Sequence, residues 1–198
     1  PSGKQLRYVY SELEEHKRTI AGGGCPSVNV GGLTLGGGWG VSSRYLGLTC
    51  DNILAAEVIL ANGNIVEANG DEDNPYKDLF WAIRGGGGGN FGIVTRFKFK
   101  LIKLEGTITS FAFTFTENVN AVTKTWVKIH LNTKLSNALS SRCVLRLQAP
   151  TTSTNERPSV SAGLVGQFYG TKKDLLDILN PFFQEYPVVK TRSWINER

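Results

Sequence analysis

One cysteine set in a glycine-rich run is the most chemically pointed feature of this sequence. Residues 24–40 read Gly24-Cys25-Pro26-Ser27-Val28-Asn29-Val30-Gly31-Gly32-Leu33-Thr34-Leu35-Gly36-Gly37-Gly38-Trp39-Gly40. Glycines at this density let main chain approach a flat or anionic ligand with no Cβ in the way, and successive N–H groups can form a nest for negative charge. A thiol at the lip of such a segment is a soft nucleophile able to add to an electron-poor ring, and Pro26 stiffens the chain behind it. A second glycine segment, residues 84–92, contains Gly87-x-Gly89-x-x-Gly92. That spacing signals a dinucleotide turn only when a strand precedes it and a helix follows. Here the order is reversed. Residues 73–83 predict a helix with Asn74 as cap and Pro75 at its first position, and residues 93–101 alternate as a half-buried strand. A nicotinamide dehydrogenase is therefore disfavoured. Arg84, in the last turn of the predicted helix, is adequately explained by the helix dipole.

The remaining reactive side chains point to little else. Cys25, Cys50 and Cys143 are odd in number and lack CxxC spacing, which argues against a disulfide scaffold or a zinc site. His16 lies in a charged run and His130 follows Trp126 at helical spacing, so both read as surface or packing residues. No Gly-x-Ser-x-Gly elbow, phosphate-binding Gly-Lys loop or N-x-[ST] sequon occurs. The net charge of +5 comes entirely from the second half, where residues 106–198 carry 11 basic and 6 acidic side chains. Those cations, Lys124, Lys128, Lys134, Arg142, Arg146, Lys172 and Lys173 among them, are scattered over several elements. Nucleic-acid binding would cluster them with aromatics, so a solvated surface is expected, with an anionic substrate as the alternative. No apolar run approaches a membrane span. The chain opens at Pro1 without a signal-peptide pattern and contains no methionine, as expected of an excerpt from a longer protein.

The elements that must position these residues fall into two styles. Ser11 with Glu14 predicts a capping box for a short helix continuing through Leu13, Lys17 and Ile20. Residues 56–60 and 64–68 predict a hairpin through Asn62-Gly63. In the strand after the second glycine segment, Ile93, Phe97, Phe99 and Leu101 are expected on the buried face, with Val94, Arg96, Lys98 and Lys100 opposite. Phe111, Phe113 and Phe115 repeat the two-residue period. A helix over 117–131, strands near 143–148 and 160–169, and a helix opened by Thr171 with Asp174 follow. Residues 150–158 read as a turn-rich loop. The fold class is α+β, with an antiparallel sheet in the second half and a boundary near residues 100–106.

Three stretches in register carry a family resemblance. They are residues 22–40, the run Tyr45-x-Gly47-Leu48-Thr49-Cys50-Asp51-Asn52, and residues 78–95 with their five consecutive glycines. Together they resemble the berberine bridge enzyme-like branch of the FAD-linked oxidases that share the vanillyl-alcohol oxidase fold. The resemblance runs from about Gln5 to Thr95 and more loosely beyond. It implies the second half of a PCMH-type FAD-binding domain over residues 1–103 and the first part of a substrate-binding domain over 104–198. Cys25 falls where the family's cysteine forms a thioether to flavin C6. Pro26, Ser27, Val28, Val30, Gly31 and Gly32 resemble the loop facing the flavin ring and ribityl chain; Gly36, Gly37, Gly38 and Gly40 resemble the next turn of that cradle. Ile93 lies at the family's adenine region.

The resemblance further implies an oxidase with covalent FAD that moves a hydride from an alcohol or amine carbon, with molecular oxygen as acceptor. Its small-molecule substrate would be an alcohol, sugar, phenolic or alkaloid, and the protein would be secreted. No metal, nucleic acid or membrane is implied. Leu33 departs from relatives that carry histidine there to support charge on the reduced flavin. The family's Arg-Ser-Gly-Gly-His segment, with its second flavin-linking histidine, and its Asn-Tyr-x-Asn stretch are absent, so the remainder of the polypeptide must complete the site. No catalytic base is assigned within residues 1–198. Arg146, Gln148, Gln167 and Tyr169 could face a substrate from the second-half sheet or be ordinary polar strand residues. The alternative function is a flavin-free binding or structural fragment, and residues 1–198 alone are not expected to form an active flavoenzyme.

Overall fold

A computed structural model of the chain describes residues 1–131, 137–148, 159–186 and 193–198; the turn-rich stretch 150–158 lies outside them. The chain divides into two compact units, Pro1–Glu105 and Gly106–Arg198.

In the first unit the order is α1 (Leu6–Glu15), β1 (Arg18–Thr19), α2 (Val30–Leu35), α3 (Ser43–Leu46), a 3-10 turn (Cys50–Asn52), β2 (Ile53–Ile59), β3 (Ile65–Asn69), α4 (Lys77–Ile83), β4 (Ile93–Phe99) and β5 (Ile102–Lys103). The main sheet is antiparallel in the order β3-β2-β4, and β1 pairs with β5. Asn62-Gly63 closes the β2–β3 hairpin: Gly63 has φ +84° and the Asn64 N–H donates to Asn62 Oδ1 at 3.0 Å, the turn chemistry this pair favours. Val58, Val66, Ala68, Phe80, Ile83 and Val94 form the core between sheet and α4.

Helix α1 differs from the sequence expectation. It starts at Leu6, five residues before Ser11, because its first N–H groups find backbone partners: Leu6 donates to the Val28 carbonyl at 2.9 Å and Arg7 to that of Pro26 at 3.0 Å. No capping box forms at Ser11, which lies mid-helix. The helix ends at Glu15, Lys17 has φ +52°, and Ile20 instead joins Leu6 and Val30 in a small core. Helix α4 begins at Lys77, two residues beyond Pro75; Asn74 Oδ1 accepts from the Tyr76 N–H at 2.8 Å and so caps the turn leading into it.

The burial phase of β4 is also corrected. Ile93 is 66% exposed while Val94 is 6% exposed, the reverse of the sequence pattern. Glu57 pairs with Arg96 and Val58 with Val94, so Thr95 is an extra residue opposite β2. A bulge of this kind shifts the alternation by one. Phe97 and Phe99, beyond it, remain half-buried against the core, whereas Leu101 is exposed.

The second unit follows the order β6 (Ile108–Phe115), α5 (Val119–Leu131), β7 (Leu139–Gln148), β8 (Ser159–Tyr169), α6 (Lys172–Glu185) and β9 (Trp194–Glu197). Its antiparallel sheet runs β7-β8-β6-β9. Phe111, Phe113 and Phe115 share one face of β6 and pack with Val122 of α5 and Leu175, Leu179 and Phe182 of α6. Thr171 caps α6, its Oγ1 accepting from the Asp174 N–H at 3.2 Å and donating to the Asp174 carboxylate at 2.7 Å. Strand β9, four residues too short to announce itself, had no sequence expectation.

Candidate functional site

The cysteine segment is held by α1. Residues 26–28 supply the carbonyls that cap the helix, Val30 N–H donates to Lys4 O at 3.0 Å, and Gly31 N–H donates to Ser2 O at 2.7 Å. Gln5 and Asn29 form an isolated bridge. These bonds fix a short turn at Pro26–Ser27 whose outer surface is open: Cys25, Pro26, Ser27 and Val28 are all exposed. Residues 26–32 are not a continuous loop, because α2 starts at Val30 and puts Gly31 and Gly32 in its first turn. Thr34 is fully buried and returns its hydroxyl to the Val30 carbonyl at 2.7 Å.

The glycines divide by what a side chain would meet. At Gly40 a Cβ would collide with the Gly22 carbonyl, at Gly38 with the Thr49 side chain, and at Gly31 it would sit 3.0 Å from Ser2 O. These three are buried, like Val30, and serve close packing within the chain. At Gly36 the nearest atom is Gly32 O, 3.3 Å away within the same helical turn. Gly24, Gly32, Gly37 and Gly89 meet nothing within 4 Å. Gly37 and Gly89 have φ +94° and +78°, a region side chains resist, but Gly24 and Gly32 have neither crowding nor unusual φ. Open space next to backbone is what a flat cofactor would need, so the exposed lip of this segment fits one.

The two glycine segments meet. Gly87 N–H donates to Leu35 O at 2.9 Å, and a Cβ at Gly85 would lie 3.7 Å from the Gly37 Cα. Residues 47–52 buttress the junction: Thr49 and Cys50 donate their N–H groups to Gly38 and Gly37 carbonyls, both at 2.9 Å, and Asn52 Nδ2 donates to Leu46 O and Leu48 O. Arg84 is more than a helix-end cation, since its Nε donates to Cys50 O at 2.9 Å and its guanidinium lies 3.6 Å from Asp51 Oδ1. Beside it Trp81, Ala82, Gly85, Gly86 and Phe91 line an open cavity of about 540 Å³. The sequence offered no sign of this buttress beyond the short polar residues Thr49, Asp51 and Asn52 next to glycine.

The three thiols are unlike one another. Burial, and then the Asp51 carboxylate, push the Cys50 thiol above its ordinary value, and burial does the same at Cys143. Both are held protonated, whereas Cys25 is exposed. Ile93 is exposed at the start of β4. In the second unit His130 Nδ1 lies 3.0 Å from Trp126 O and its Nε2 2.9 Å from Ser141 Oγ, which also accepts from Trp126 Nε1. This chain of bonds ties α5 to β7 over the apolar core. The described residues hold no cluster of histidine, cysteine and acidic side chains fit for a metal, and none of the described helices is long and apolar enough to cross a membrane.

A mixed α and β chain with antiparallel sheets and an open glycine cradle defines the class: it has the PCMH-type FAD-binding fold, and residues 1–69 match the family described as FAD binding domain. Berberine bridge enzyme-like 8 of Arabidopsis thaliana is 34% identical over 202 residues, 98% of this chain and 37% of that protein. The solved structure of Physcomitrella patens BBE-like 1 superposes with a TM-score of 0.81 at 31% identity, covering 99% of this chain and 39% of that one. Glucooligosaccharide oxidase from Acremonium strictum, whose FAD is described as 6-S-cysteinyl and 8α-N1-histidyl, gives 0.80 at 32% identity over 100% of this chain and 39% of its own. The chain belongs with these berberine bridge enzyme-like, FAD-linked proteins. It spans little more than a third of their length.

Proposed function

We propose that this chain forms one wall of an FAD site in a flavin oxidase, with the flavin bonded through C6 to the Cys25 sulfur. The observation that carries the reading is the pairing of an exposed Cys25 with glycines, Gly24, Gly32 and Gly37, that nothing in the chain itself crowds. Pro26, Ser27 and Val28 present the backbone beside the ring, Gly36 continues that surface, and Ile93 contributes an exposed apolar side chain toward the adenine end. Val30, Gly31, Gly38 and Gly40 act from behind, by holding this surface in place. Residues 1–105 would belong to the FAD-binding domain and 106–198 to the substrate domain.

Bound flavin supplies the redox chemistry, accepting a hydride from an alcohol or amine carbon and passing the electrons to oxygen. The chain's own part is to hold the ring edge at Cys25 and exclude water on the glycine side. Likeness to proteins named as oligosaccharide oxidases supports a saccharide as the substrate. The complete polypeptide, digested and analysed by mass spectrometry, is expected to show flavin mass on the Cys25 peptide and none on those of Cys50 and Cys143. Yellow, active protein with an unmodified Cys25 would overturn the assignment.

A further inference from the structure

Two glycines in a row at positive φ, Gly37 (+94°) and Gly38 (+76°), leave the peptide between them with no side chain on either side to fix its orientation. Bonds from elsewhere must do so. The Cys50 N–H holds the Gly37 carbonyl and the Thr49 N–H the Gly38 carbonyl, both at 2.9 Å. These donors belong to a short segment, Thr49 and the three-residue 3-10 turn Cys50–Asn52 that follows it, and a turn of this kind has weak internal bonds. Its far end is tied to the chain after β4, where the Lys100 N–H donates to Asn52 O at 2.8 Å. The end that touches the glycines needs a tie of its own.

Arg84 supplies it. The residue directly follows α4, whose Phe80 and Ile83 lie in the core against the sheet, so its backbone is a fixed point. Its guanidinium lies over the Phe80 ring, 5.5 Å from the centroid, and its Nε donates to Cys50 O at 2.9 Å across 34 residues of sequence. A bond from a cation to a carbonyl is charge-assisted and stronger than a neutral one. The contact with Asp51 matters less: at 3.6 Å, between side chains 34% and 53% exposed, an ion pair contributes little.

We propose that Arg84 is a positioning residue for the flavin: by holding the Cys50 carbonyl it fixes the Gly37–Gly38 peptide, and with it the open surface at Gly37 on which the cofactor rests. This rests on the flavin-oxidase reading above. Arg84 acts through Cys50 and Gly37 and does not itself touch the cofactor.

The test uses the full-length flavoprotein and reads flavin per protein, the visible circular dichroism of the bound flavin, and Tm. In Arg84→Ala flavin content is expected to fall roughly tenfold, the scale of one charge-assisted bond, and the flavin that remains should show a weakened visible band. The truncation opens space beside the cavity of about 540 Å³ lined by Trp81, Ala82, Gly85, Gly86 and Phe91. Millimolar guanidinium can enter there and should restore uptake of added FAD, whereas equal sodium chloride should not. Arg84→Lys keeps the charge and the contact with Phe80 but offers one donor point in place of a fork; it should fold as the wild type does and lose about threefold of its flavin. That variant decides the matter if Arg84→Ala does not fold. Full flavin content with an unchanged band in either variant overturns the inference. So does a loss in Arg84→Ala that follows Tm, leaves the band of the remaining flavin unchanged and resists guanidinium, because Arg84 then serves the fold alone. Wild-type protein that carries no flavin sinks the oxidase reading itself.

Discussion

Gly32→Ala separates a glycine kept for the fold from one kept for a ligand. Gly32 sits in the first turn of α2, has no positive φ and no neighbour within 4 Å of a Cβ. Alanine is the better helix former by about 0.5–1 kcal/mol, so the fold by itself should gain from the change. At Gly40 the same substitution drives a Cβ into the Gly22 carbonyl; both partners are backbone and cannot rotate away, so the cost is about 3 kcal/mol, the upper end of the range for overpacking. Two measurements on the full-length protein decide the matter: hydrogen exchange of the α2 amides, and covalent flavin per protein after denaturation. Gly32→Ala is expected to slow exchange in α2 by about two- to fivefold, from that gain, yet to lose most of its flavin. Gly40→Ala should speed exchange and lose flavin as a consequence. Full flavin loading in Gly32→Ala, with α2 stabilised, would refute the idea that this open space is the cofactor's.

Other consequences are simpler to read. Thr171→Ala removes the α6 cap and should cost about 1 kcal/mol by urea unfolding, since the Asp174 N–H is left to water. Phe115→Ala, at a side chain 1% exposed within the α5–α6 core, should cost about 3–5 kcal/mol and leave the first unit's exchange pattern unchanged. Flavin-free protein treated with iodoacetamide near pH 8 should be alkylated at Cys25 well before Cys50 or Cys143. Because the Cys50 pKa is raised above its ordinary value of about 9.0, the native state holds that proton longer than the unfolded one. Its contribution to stability is full below pH 9 and is lost as pH rises through the elevated value. Cys50→Ser should flatten that alkaline decline in Tm.

The parts of the fold legible in the sequence are those governed by near neighbours. Asn62-Gly63, the Phe111-Phe113-Phe115 alternation and Thr171-x-x-Asp174 each act within a few residues, and each appears where expected. The misreadings come from partners far along the chain. Ser11 looked like a cap because nothing local reveals that Val28 and Pro26 carbonyls already terminate α1. Ile93 and Val94 exchanged faces because a bulge depends on the register of β2. In the cysteine segment the glycine density was visible but its division was not: which glycines are crowded by the chain itself is set by the backbone of Ser2 and Gly22 and the side chain of Thr49. The common face of Arg146, Gln148, Gln167 and Tyr169 needed the sheet register, although equal parity along each strand was already present in the numbering.

The extra residue at Thr95 makes β4 respond to odd and even changes of length in different ways. Deleting Thr95 alone would close the bulge and leave Val94 opposite Val58 and Arg96 opposite Glu57, so each remaining side chain would keep its side and Gly92 its fit against Ile59 O, where a Cβ would lie 2.7 Å away. Deleting a second residue would slip one end of the strand a single step along β2 and turn its side chains to the other face. A single loss is therefore a straightening of the wall and a double loss a half-turn of it. Among descendants of this gene, single-residue losses in β4 should fall at the bulge, and losses of two should be answered by an insertion within the same strand.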